Sequence, residues 1–74
     1  MKLLMVEWED ACSCNQWEPR DIHIEITPCI TVGILTYESE SEVEISASLN
    51  YRAKSNHMAI PKSCIKRIRR IYVR

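Results

Sequence analysis

From Val43 to Leu49 the apolar residues Val43, Ile45, Ala47 and Leu49 alternate with Glu42, Glu44, Ser46 and Ser48. A period of two sets one face of a strand on a core and the other in water. Ile22-His23-Ile24-Glu25-Ile26 repeats the alternation more briefly, and Pro28 ends its ladder because proline has no N–H to donate. Cys29 to Tyr37 is a longer β-branched and aromatic run with Ile30, Val32 and Ile34 on one face. Leu3 to Trp8 supplies a first strand, and Met58-Ala59-Ile60-Pro61 a short one that stops at proline. Polar residues break both periods at Glu38 to Ser41 and at Asn50 to Asn56, which predicts turns there.

Gly33 is the only glycine and lies inside the Cys29 to Tyr37 run. A glycine weakens a strand interior unless the backbone bends there or another segment packs closely, so Gly33 predicts a bulge or a corner of a small, strongly bent barrel. The C-terminal stretch carries two patterns. On a helix, Ile65, Ile68, Ile71 and Tyr72 share one face while Lys66, Arg69, Arg70 and Arg74 lie largely on the other, with Ser63 as N-cap. As a strand, Arg67 to Val73 alternates poorly, so the pattern by itself favours a helix.

Seventy-four residues make a single domain, 1–74, with a small core. A chain that is 46% hydrophobic is ordered, not a disordered tail. Oligomerisation is a natural way to complete so small a core, so a homo-oligomer is expected. The apolar run Met1 to Val6 meets Glu7, Glu9 and Asp10 too soon for a signal peptide or a membrane span. A cytosolic setting with no membrane partner follows, and there the four cysteines stay reduced.

Charge divides the chain. Every acidic residue lies at or before Glu44, and eight of the ten basic residues lie after it. Ten acids against Lys2 and Arg20 leave the first part at −8, and the eight cations beyond Glu44 give the second part +8. Such asymmetry points to a charged partner, to another copy of the chain, or to internal pairing between strands from the two parts.

Lys66-Arg67-Ile68-Arg69-Arg70, with Arg52, Lys54, Lys62 and Arg74, can line phosphates, and Tyr51 and Tyr72 can stack on bases or nucleotides. An extended nucleic acid that strays from this patch meets the acidic part. A small anionic ligand can sit among a few arginines without meeting Glu38, Glu40, Glu42 or Glu44. Lys66, Arg67, Arg69, Arg70 and Tyr72 are therefore the candidates for anion or partner contact. Glu40, Glu42 and Glu44 are the candidate acidic partner surface, and their plainer reading is a solvated strand face that guards an edge. Trp8 and Trp17 flank an acidic loop and are read as plugs for the open end of a barrel, since tryptophan is usually largely buried.

Cys12, Cys14, Cys29, Cys64, His23 and His57 include the ligand types for tetrahedral zinc, but Cys12-Ser13-Cys14 matches no Cys-x2-Cys spacing. Cys29 and Cys64 read as small core residues and Cys12 and Cys14 as loop residues. No metal, cofactor or catalytic residue is assigned, because no motif announces an oxyanion site or an orienting third group beside a cysteine–histidine pair.

Val6-Glu7-Trp8-Glu9-Asp10-Ala11, Trp17, Val32-Gly33-Ile34-Leu35, Glu38, and Met58-Ala59-Ile60-Pro61-Lys62 with Cys64-Ile65 resemble a group of small bacteriophage and prophage proteins. The resemblance covers most of the chain. It implies a mainly β fold, an SH3-like or Sm-like barrel of five or six short strands in which one helical turn over Lys62 to Ile65 precedes a last strand from Arg67 to Val73. The long basic end departs from the group, as does Ile34 where the group often carries an aromatic residue. The expected function is a non-enzymatic, phage-encoded binding protein in the host cytoplasm. It would capture a small anionic, nucleotide-like ligand or block a host defence protein; the phage setting comes from the resemblance, the capture from charge and size. The alternatives are a nucleic-acid-binding barrel that uses the basic C-terminal segment and a structural or assembly accessory.

Overall fold

The computed structural model describes residues 1–10, 20–21 and 26–73. The expected strand over Ile22 to Ile26 falls outside these residues except for Ile26, and Cys12, Cys14, Trp17, His23 and Arg74 fall outside them too. Five strands, β1 (Leu3–Asp10), β2 (Thr27–Glu38), β3 (Glu42–Leu49), β4 (Lys54–Pro61) and β5 (Ile65–Ile71), form one antiparallel sheet in the order β4-β3-β2-β1-β5. A single 3-10 turn over Lys62–Cys64 links the last two strands. The fold is mainly β, and the described sheet is open, with β4 and β5 at its edges.

β2 holds the sheet together by serving two partners in turn. Its residues from Thr27 to Ile34 pair with β1, and from Ile34 to Glu38 with β3. The transfer happens at Ile34, which pairs with both Leu3 and Ser46, and its neighbour Gly33 lies opposite Leu4 and so close to β3 that a Cβ would stand 2.6 Å from Ile45 Cγ2 and 2.7 Å from the Ser46 carbonyl oxygen. Close approach of a neighbouring strand, and not a left-handed backbone, is what requires glycine here. The bulge on this strand lies elsewhere, between Leu35 and Tyr37.

The two parts of the bent sheet close on one core. Leu4 and Val6 come from β1, Val43 and Ile45 from β3, and Ile60 from β4, with Trp8, Leu35 and Ile65 packed around them. Ser46 is buried on β3, and its hydroxyl is 2.7 Å from Thr36 Oγ1, so a polar group is enclosed without losing its hydrogen bond. Trp8 is half-buried against the core and its indole N–H donates to Thr31 Oγ1 at 2.9 Å. Cys29 and Cys64 are free thiols, half-buried at the margin and not in the core cluster.

The turn expected over Asn50 to Asn56 is shorter. β4 begins at Lys54, because the turn closes within Asn50–Ala53 and does not extend to Asn56. Asn50 Oδ1 accepts from the N–H groups of Arg52 and Ala53, both at 2.8 Å, and this early closure enrols polar residues in the ladder. Of the two readings of the C-terminal stretch, the turn followed by a last strand is the one observed, with the strand running Ile65–Ile71. Ile65 lies opposite Trp8 and Arg67 opposite Glu7, so Lys66 is an extra residue at a bulge. That bulge resets the alternation and brings Ile65 and Ile68, three residues apart, to the side of the sheet that carries Trp8 and Val6. A helix-like spacing thus arises in a strand.

Candidate ligand-binding site

The register explains where part of the divided charge goes. β5 runs beside β1, and Arg67 Nε approaches Glu7 Oε2 at 3.6 Å while Lys66 Nζ pairs with Glu9 Oε1 at 2.9 Å. Lys62 Nζ, on the turn, meets Glu38 Oε2 at 2.9 Å, and Lys54 at the start of β4 pairs with Glu44. Each of these pairs joins the acidic part to the basic part inside one chain. The same contacts shift titration: the hydrogen bond to Glu9 and its charge hold the Lys66 ammonium above its usual range, and Lys62 holds the Glu38 carboxyl below its own. Glu44 is lowered by the hydrogen bond from Lys54 and then by that from Thr36 Oγ1, which donates to Glu44 Oε1 at 2.7 Å.

The predicted site residues therefore separate. Lys66 and Arg67 face carboxylates, and Glu44 faces a lysine, so these three are engaged in holding strands together. Glu40 lies exposed in the turn between β2 and β3, and Glu42 starts β3 half-exposed. Arg69 lies on β5 opposite Met5. Arg70 and Tyr72 come together at the end of β5, with Arg70 Cζ 5.0 Å from the Tyr72 ring centroid. Tyr51 carries an arginine too, Arg52 Cζ being 5.1 Å from its centroid. The register sets the β3–β4 turn, with Tyr51, and the end of β5, with Tyr72, at opposite ends of the strands. The two stacked pairs do not build one continuous track for a polynucleotide.

Arg70 and Tyr72 border an apolar concavity of about 400 Å³ lined also by Met1, Leu3, Ile34, Ile71 and Val73. Its floor is a single row across three strands, Ile71 opposite Leu3 and Leu3 opposite Ile34. Sequence reasoning named the arginine and the tyrosine but not the floor, since Leu3, Ile34 and Ile71 meet only through the register. A second concavity, of about 270 Å³, is lined by Glu7, Trp8, Glu9, Pro28, Cys29, Ile30 and Lys66. The two carboxylates beside it disfavour an anion there. Among the described residues no group of three or more His, Cys, Asp or Glu side chains is placed to hold a metal ion. No described helix is long and apolar enough to cross a membrane.

No family model matches the chain, and neither a curated protein nor a solved structure matches it.

Proposed function

We propose that the chain is a non-enzymatic binding protein that takes a small anion carrying a planar apolar group, a mononucleotide being the type, in the concavity beside Arg70 and Tyr72. The observation that supports this is the guanidinium of Arg70 over the Tyr72 ring at the rim of an apolar hollow. The arginine supplies charge-assisted hydrogen bonds to an anion, the tyrosine a stacking face, and Leu3, Ile34 and Ile71 an apolar floor for the rest of the ligand. Lys66 and Arg67 face carboxylates of their own chain and play no part.

A phage-encoded setting in a host cytoplasm rests on the resemblance of the short motifs between Val6 and Ile65, whereas capture of a ligand that serves host defence rests on the charge and size of the chain. The small SH3-like or Sm-like barrel belongs to that resemblance, with the strand order and the turn before β5 in its favour.

Calorimetric titration at low salt with adenosine monophosphate and with inorganic phosphate tests the site. The nucleotide binds and phosphate alone binds much more weakly. Arg70→Gln and Tyr72→Ala each reduce nucleotide affinity by about tenfold, the size of one cation–π or charged hydrogen-bond contact. Arg67→Gln leaves it unchanged. Equal binding of both probes, or loss with Arg67→Gln alone, sinks the reading.

A further inference from the structure

β2 is paired unevenly. Along Thr27–Gly33 it pairs with β1, while β3 joins it only from Ile34 onward. Gly33 is buried against β3, but the side of Thr27–Val32 turned away from β1 has no partner among the described residues, and there its backbone donors and acceptors form an open edge. Ile30 is 67% exposed and Val32 55% exposed on this stretch. No charged residue occurs from Thr27 to Tyr37.

The sheet's other two edges are guarded. β5 carries Lys66, Arg67, Arg69 and Arg70, which repel a second basic strand. β4 carries Lys54, a left-handed Asn56 with φ 50° that twists the edge, and Pro61 at its end. Thr27–Val32 has only Pro28, near its start. An uncharged, β-branched edge of this kind is a template for strand addition.

We propose that two copies of the chain join through this edge, antiparallel about a two-fold axis at Thr31. The register then sets Ile30 opposite the second copy's Val32, twice by symmetry, and Thr31 opposite its own copy. Aliphatic β-branched pairs and threonine pairs are favourable cross-strand neighbours, and the strand is uncharged, so pairing with itself meets no repulsion. Self-complementarity is what selects a second copy over a foreign strand. The pairing is short, centred on Ile30 to Val32, so the dimer is reversible and depends on concentration. This surface is separate from the Arg70 concavity and does not depend on it.

Sedimentation velocity across a concentration series tests the proposal. The expected result is a monomer–dimer equilibrium whose dissociation constant rises at least about tenfold with Ile30→Lys or Val32→Lys, since either change places a charge inside the joined sheet. Both side chains are exposed in the single chain, so circular dichroism of the variants stays that of the native fold. Ile68→Lys, exposed on β5, and Arg70→Gln leave the dimer intact. Backbone amides in Ile30 to Val32 exchange more slowly as concentration rises. A monomer at every concentration overturns the proposal, as does a dimer that Ile30→Lys and Val32→Lys leave unchanged.

Discussion

Gly33 lies so close to Ile45 that a methyl group on it would stand 2.6 Å from Ile45 Cγ2. The second obstacle, the Ser46 carbonyl oxygen at 2.7 Å, is backbone and moves only if β3 moves. Gly33→Ala gains some conformational advantage in a strand, yet the overlap exceeds it, because overpacking costs about 1–3 kcal/mol. Urea unfolding is expected to show a lower midpoint for Gly33→Ala. An unchanged or raised midpoint would mean that β2 and β3 are not this close.

Val6 and Ile68 face each other across β1 and β5, yet only Val6 is in the core. Ile60 is 1% exposed and Ile68 is 42% exposed. Deleting a fully buried isoleucine side chain leaves a cavity and costs about 2–5 kcal/mol, so Ile60→Ala should cut deeply into the stability of a domain this small. Ile68→Ala should change stability by less than about 1 kcal/mol, as it removes partly solvated surface. Chemical denaturation of the two variants side by side checks the assignment of the core.

Strict alternation made β3 legible as a strand, and Val43 and Ile45 are buried as the pattern expects, but Ser46 from the other face is buried too while Ala47 and Leu49 are exposed. The N-terminal half of β4 was not legible, since Lys54, Ser55 and His57 pair with β3 although the side chains from Lys54 to His57 carry no alternating pattern. β5 carried a helical pattern beside the strand reading for a specific reason: the extra residue Lys66 turns a strand spacing into a helical one. At the candidate site, Arg70 and Tyr72 stood out as charge and aromatic in the sequence, whereas the row Ile71, Leu3 and Ile34 exists only once β1, β2 and β5 are in register. The divided charge was visible at once, but which partner would answer it was decided by the strand order.

Glu44 makes part of that answer dependent on pH. Its carboxyl titrates below the usual range in the fold, chiefly through the Lys54 hydrogen bond and then through Thr36. In the unfolded chain a glutamate titrates near about 4.3. The stabilisation is therefore complete above that value and is lost as the pH falls through the lower folded value. The melting-temperature difference between the native chain and Glu44→Gln should be largest near neutral pH and shrink progressively below about pH 4. A difference that persists unchanged into strong acid would show that the carboxylate charge contributes nothing.

Lys66 distinguishes a residue that holds strands together from one that binds a partner. Its ammonium is 2.9 Å from Glu9 Oε1, and both side chains are substantially exposed. Exposed pairs contribute little, so Lys66→Met should barely alter the melting temperature. Lys66→Glu is different, because it sets two carboxylates against each other beside Glu7, and the loss should diminish at high salt as the repulsion is screened. Exchanging the pair, Glu9→Lys with Lys66→Glu, should restore the melting temperature while keeping the net charge. Nucleotide binding should survive the exchange, since the anion site lies with Arg70 and Tyr72. If the exchanged chain melts normally but no longer binds, Lys66 belongs to the binding surface and not to the β1–β5 seam.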